Sequence, residues 1–368
     1  MQETPEPQAP HGQGPGPHAP GPVPYGQGPG PYGDGPVPYG QGRGPYGEGP
    51  VPYGRPYPPT GYQPPAPEPF LLPTQPGLRY DHLARNRATE WWRPLVGTLI
   101  VGAAFFVVGF VVLFAGMLAA PFLGIKVLTT IQLFSDPLYA LVFLLLPIAA
   151  VLPVVYGTAA LIQRRRPGTL SSVAGRLRWG WMAQCAGIAV VALLLGQIAM
   201  VSAFAATGED LSGMFGWAGW ATFLPALLVI VLLVPFQAAT EEYIFRGWLV
   251  QAFGSYLRNP IYGILLGSLA FMSLHGYTGA GMIDVFSFGV VMGLLTVRTG
   301  GLEAAIAMHV INNVFAFGTS AASGELSDAM RQGAVPWQSL VGTVVQLGVF
   351  GVGVFVLAKK RAVPTISG

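Results

Sequence analysis

Residues 221–246 read ATFLPALLVIVLLVPFQAATEEYIFR. The part through Ala239 is an apolar run long enough to cross a bilayer as a helix. It ends on Glu241, Glu242 and Arg246. Ionisable side chains inside a span are costly and rare, so they mark a functional site whose partners should be nameable. The histidines narrow the choice. Of the five in the chain, His11, His18 and His82 precede the first span, while His275 and His309 lie in apolar segments downstream of the carboxylates.

The rest of the chain fits a membrane protein. Of 368 residues, 52% are hydrophobic and 10% charged, against about 25% charged in soluble domains. The fold class expected is all-α: a polytopic transmembrane helical bundle of about eight spans behind a disordered Pro/Gly/Tyr-rich N-terminal tail. Eight apolar segments carry that reading: 95–118, 138–162, 180–206, 220 through the glutamate pair, 261–275, 282–297, 302–317 and 340–357. The single cysteine, Cys185, sits in an apolar segment and reads as a small core residue; it allows neither an intrachain disulfide nor a thiolate metal site.

The domains expected are a tail over 1–75, a juxtamembrane segment over 76–94, the membrane domain over 95–358 and a short tail over 359–368. In the N-terminal tail Pro-Tyr-Gly recurs every seven residues from Pro24 to Pro52. Proline and glycine in every repeat exclude a helix, and the segment has too little apolar surface to offset its ordering entropy. It lacks the basic n-region and apolar h-region of a signal peptide.

Arginine and lysine set the expected orientation. Arg79, Arg85, Arg87 and Arg93 precede the first span, and Arg164, Arg165, Arg166, Arg176 and Arg178 follow the second. Arg258, Arg298, Lys359, Lys360 and Arg361 continue the alternation. The opposite loops hold only Lys126 and Arg331, together with Asp136, Glu209, Asp210, Glu325 and Asp328. An integral protein of a bacterial plasma membrane with both termini cytoplasmic is expected.

Three motifs carry chemistry. Glu242 and Arg246 are four apart and pair on one helix face. Glu241 lies about 100° away, left available for chemistry. Phe271-Met272-Ser273-Leu274-His275 follows on the next span. Counted from a turn at Asn259-Pro260, Glu241 and His275 come out roughly 28 Å and 23 Å deep, near enough to share a water as a general-base pair. His309 and Asn313 share a face and can donate two converging hydrogen bonds, as an oxyanion hole needs. Asn312 reads as structural, and Glu303 as a charge at a helix N-terminus. Asp284 reads as a first-turn acid, with cavity lining as the other possibility.

In this order, Glu241-Glu242-xxx-Arg246, Phe271-xxx-His275 and His309-xxx-Asn313 resemble the CAAX protease and bacteriocin-processing (CPBP) family, intramembrane proteases related to the type II CAAX prenyl endopeptidase. The resemblance runs from about the third span onward and leaves out the tail. It implies an eight-helix fold with an intramembrane cavity. It implies that Glu241 and His275 activate a water for attack on a peptide carbonyl, that His309 and Asn313 hold the oxyanion, and that Glu242 and Arg246 support the first carboxylate. The partners implied are membrane lipids and a peptide or protein substrate, with lipidated or membrane-embedded forms open; no nucleic acid is expected. Zinc on Glu241, His275 and His309 is conceivable, but a metal-free mechanism is favoured: there is no His-Glu-x-x-His and asparagine is a poor zinc ligand. The competing functions are a non-catalytic scaffold or bacteriocin-immunity-type protein binding through the same cavity, and a proton-coupled transporter. The latter lacks the paired broken spans of inverted repeats.

Overall fold

The computed structural model describes residues 68–128, 133–211 and 216–368, all within one unit, Ala66–Gly368. Residues 1–67 of the expected tail lie outside the described residues. The last part of that tail is structured against the membrane domain, since Leu72 donates its backbone N–H to Arg164 O.

Long apolar stretches satisfy their backbone polar groups internally only as helices, and the described residues follow that rule. Helices α1 (Trp92–Ala119) and α4 (Trp179–Ala206) are unbroken. The second expected span divides into α2 (Pro137–Ala149) and α3 (Leu152–Leu161). Pro147 and Pro153 remove backbone donors on either side of the joint. Helix α5 (Trp220–Glu242) passes directly into a π-helical segment, Tyr243–Leu249, and then α6 (Val250–Tyr256). Next come α7 (Ile261–Ser273), α8 (Ala280–Thr299), α9 (Glu303–Ser323), α10 (Leu326–Met330) and α11 (Ser339–Lys360). Two short parallel strands, β1 (Thr278–Gly279) and β2 (Ala334–Val335), join the loops before α8 and α11.

Among the described residues, seven stretches are long and apolar enough to cross a membrane, not eight. The exception is the expected fifth span. Helix α7 has 13 residues, or about 20 Å of rise, against a hydrocarbon core of about 30 Å. His275 therefore lies in the turn beyond α7 rather than on it. The two ends of the membrane domain are nevertheless paired with each other. Arg79 bridges Ile366, and Gly77 N–H and Leu78 O bond Ser367.

All the arginine-rich loops gather on this one face. Arg79 Nη2 donates to Arg258 O, Ser172 bridges Gly301, and Arg178 Nη1 donates to Pro364 O. Across that face runs a strap, residues 68–90. Tyr80 is fully buried and donates to Leu170 O. Arg85 Nε donates to Gly254 O. A Cβ at Gly254 would collide with the carbonyl of Asp81, so only glycine lets the strap lie this close.

Helix α9 is the central element, with 39% of its span buried against 11% for α1. It packs on α5, α4 and α8. The outward faces carry exposed Leu99, Phe110, Ile198, Leu228, Val344 and Val352. Apolar side chains facing outward around long helices are a hydrocarbon-facing surface, and the protein is an integral membrane protein.

Candidate functional site

The site forms where the end of α5 meets the middle of α9. Glu241 and Glu242 are the last residues before the π-helical segment, which contains Arg246. Such wide turns recur at functional sites because they re-aim side chains that a regular helix would space evenly. Helix α7 lies against this segment through Gly267, where a Cβ would stand 2.9 Å from Phe245 O. That approach brings Phe271 to the site. On α8, a Cβ at Gly289 would stand 2.8 Å from Ser268 Oγ and 3.2 Å from Arg246 Nη2, so the missing side chain makes room for the guanidinium.

Glu242 and Arg246 form the expected ion pair, Oε1 to Nη1 at 3.0 Å, with both side chains buried. A buried pair needs further polar contacts to offset desolvation. One comes from His309, whose Nδ1 lies 2.7 Å from the same Glu242 Oε1. Another comes from aromatic faces: the guanidinium lies 4.1 Å from the Phe271 ring centroid and 5.6 Å from that of Phe288.

Glu241 is also buried, at 6% exposure. Its Oε2 approaches His309 Nε2 at 3.4 Å and has no hydrogen-bond partner. His309 thus spans the two carboxylates, one at each ring nitrogen. Glu242 accepts from Nδ1–H, and Nε2 is the ring nitrogen that faces Glu241.

His275 stands apart from this group. Its Nδ1 lies 2.8 Å from Phe271 O, its sole polar contact among the described residues. A carbonyl only accepts, so Nδ1 carries a proton, and Nε2 is the ring nitrogen without a protein partner among the described residues. Phe271 connects the two imidazoles, with ring centroids 4.5 Å from His275 and 6.0 Å from His309.

Among the described residues Asn313 and His309 share no hydrogen bond. Asn313 Nδ2 donates to Gln237 Oε1 at 3.3 Å. The structure therefore joins Glu241, Glu242, Arg246, His309 and Phe271 directly, with His275 and Asn313 at the edges. Gln237 and Phe288, which sequence reasoning passed over, also belong here. Gln237 carried a signal, being a polar residue inside an apolar run four positions before Glu241. Phe288 carried none, because an aromatic residue in an apolar span has no distinguishing mark.

The remaining polar residues have other duties. Asn312 Oδ1 accepts from Gln346 and links α9 to α11. Glu303 is at the start of α9 as expected, but it is fully buried and bound by Arg178 through Nε and Nη2, each at 2.7 Å. Asp284 lies beyond the first turn of α8, which begins earlier than the sequence suggests, and it accepts from Thr343 Oγ1 at 2.9 Å. Cys185 is buried in the apolar core.

As a zinc set, Glu241, His275 and His309 do not fit this geometry. The structure brings His309 to Glu241 but not His275, whose polar contact among the described residues is Phe271 O. Among the described residues no group of three or more His, Cys, Asp and Glu is arranged to hold a metal ion.

Residues 220–315 match the family model described as "Type II CAAX prenyl endopeptidase Rce1-like". The matched range contains every residue of the three motifs. Over 100 residues the chain is 37% identical to "Uncharacterized protein YyaK" of Bacillus subtilis (strain 168), covering 25% of this chain and 33% of that protein. The chain thus spans about a third of the length of the curated relative it matches. No solved structure matches.

Proposed function

We propose that this chain, whose residues 220–315 are an Rce1-like domain, is an intramembrane endopeptidase. The observation that carries the reading is Glu241 Oε2: buried, without a hydrogen-bond partner, and 3.4 Å from an imidazole. Buried acceptors are almost always satisfied by protein or by water. An orphaned carboxylate oxygen beside a proton-bearing ring is where a water would be held and deprotonated.

In this reading Glu241 takes the proton from the attacking water. His275, with Nε2 free, is the second base facing that water. The water oxygen bonds to the scissile carbonyl carbon and the carbonyl electron pair becomes an oxyanion; the oxyanion then collapses to re-form the carbonyl, and the C–N bond breaks as Glu241 passes the water's proton to the leaving nitrogen. His309 ties Glu241 to the Glu242–Arg246 pair and fixes its position. His309 and Asn313, on one face of α9, donate to the oxyanion. The reading is a mechanism without metal, since a carboxylate and a histidine can activate water unaided; metal analysis of the purified protein, with activity measured after chelation, tests this. Stoichiometric zinc lost together with activity would overturn it. The substrate is a peptide or protein within or at the membrane. The orientation that suits the basic face is cytoplasmic, with both termini on that side of the plasma membrane.

The test is hydrolysis by the protein in proteoliposomes of two internally quenched peptides, one ending in a farnesylated cysteine motif and one unmodified. Glu241→Gln and His275→Ala are each expected to lower turnover by about 100- to 10,000-fold, the range of a lost general base. Full activity in either variant rejects its assignment. A wild type that binds peptide without cleaving it would establish the scaffold function instead.

A further inference from the structure

We infer that residues 276–279, the non-helical stretch that follows His275, are a docking edge. On it the substrate backbone lies as an added β-strand, hydrogen-bonded to the N–H and C=O of Tyr277. The inference rests on the peptidase reading and deepens it: it concerns how the scissile bond is held, not how it is cut.

Helix α7 ends at Ser273, and the chain runs on without helix into β1. One side of this stretch is taken. Gly276 N–H donates to Gln332 Oε1, and Thr278 N–H donates to Gly333 O at 2.9 Å. Thr278 and Gly279 pair in parallel with Ala334 and Val335. The backbone groups of an extended chain alternate between its two sides, so those of Tyr277 point away from β2. Among the described residues neither the Tyr277 N–H nor its C=O makes a hydrogen bond. Gly276, Thr278 and Gly279 around it are exposed. The edge is also held in place. A Cβ at Gly281 would stand 2.9 Å from Tyr277 Cβ and 3.0 Å from Val335 Cγ2, so the missing side chain lets both strands rest on the start of α8.

An unpaired strand edge accepts another extended chain. Continuity with the candidate site says that this chain is the substrate. His275 and Tyr277 are two residues apart, about 7 Å along an extended backbone. Their rings stack, with centroids 6.3 Å apart and planes 11° from parallel. A chain bonded to Tyr277 therefore passes His275, the second base of the proposed mechanism, within about two of its own residues. The substrate's chemistry asks for the same arrangement. A helical peptide has its carbonyls engaged by its own N–H groups. A segment opened for attack has backbone donors and acceptors that hydrocarbon cannot satisfy. Tyr277 offers one donor and one acceptor beside the place where that segment is cut.

The opposing interpretation is that 276–279 only connects α7 to α8, with water on Tyr277. Two measurements in proteoliposomes separate them. The first is kcat/KM of the wild type on the quenched peptides, with each nearby amide except the scissile one replaced in turn by an ester. Each ester deletes one N–H donor. One position is expected to lose about 2- to 10-fold, the worth of a single neutral hydrogen bond. The second walks a cysteine through the same peptide positions and oxidises each peptide mildly with the Glu241→Gln, Thr278→Cys double variant. Thr278 is exposed, and the native Cys185 is buried. Disulfides are expected at every second position, because side chains alternate on a strand. Disulfides at the three- to four-residue spacing of a helix, or an ester series flat at every position, overturn the inference and leave the peptidase standing. If Thr278→Cys fails to fold, the ester series on the wild type decides. A wild type that hydrolyses neither peptide rejects the peptidase reading, and this inference with it.

Discussion

At the scale of single residues, the site is a problem in burying charge. Two carboxylates face one guanidinium, and the histidine between them decides whether the arrangement is tolerable. Arg246→Met would leave Glu242 buried beside His309 alone. Breaking a buried pair in this way costs about 3–5 kcal/mol, which thermal unfolding in detergent would register as a large fall in midpoint. Adding Glu242→Gln should recover part of the loss, since an uncharged partner no longer needs the cation; no recovery would mean that packing, not charge, is what Arg246 supplies. Gly289→Ala tests the space around the same guanidinium. The added methyl meets Ser268 and Arg246 Nη2, and such overpacking costs about 1–3 kcal/mol. Ser268→Gly in the same chain should restore stability, because it clears the nearer of the two clashes.

At the scale of elements, the departures from regularity are what build the site. The π-helical turn follows the glutamates at once, and α7 stops short so that His275 emerges where non-helical backbone is tolerated only if protein or water receives it. On the basic face the strap is the element that responds to pH. Burial above all holds the His82 imidazole below its usual value; Arg85 and Arg79 add to this, while Asp81 and the Leu257 carbonyl oppose it. Its neutral form is thus the one the fold accepts. The associated stability is complete above about pH 6.5 and is lost as pH falls from there toward the depressed folded value. Amide exchange over residues 79–90, corrected for the intrinsic pH effect, should show protection falling across that window. His82→Gln should flatten the response, and an unchanged profile in that variant would rule out His82 as its source.

At the scale of the whole molecule, the antiparallel bridge between Arg79 and Ile366 places both ends of the membrane domain on one side. Single cysteines replacing Arg176 and Arg361, both exposed on the basic face, should react with an impermeant maleimide from the same side. Lys126→Cys should react from the other. Cys185 is buried and gives little background. Labelling of the positions at 176 and 361 from opposite sides would mean an odd number of crossings and would break the pairing of the chain ends.

What the sequence determined by itself was composition, periodicity and local spacing. Its apolar runs specified a membrane helical bundle, because unpaired backbone cannot exist in hydrocarbon. The four-residue spacing of Glu242 and Arg246 specified their pair, because helix geometry is local. What the tertiary structure alone decided was every contact between helices. No spacing on α9 reveals that His309 turns both ring nitrogens to the end of α5, or that Asn313 donates to Gln237. Nor does the sequence around Glu303 announce Arg178, which arrives from 125 positions away to bury the charge. The same holds for Glu241-Glu242. Their place beside a π-helical turn, under Phe271 and against Gly289, depends on how closely α7 and α8 approach, and that closeness is a property of packed surfaces.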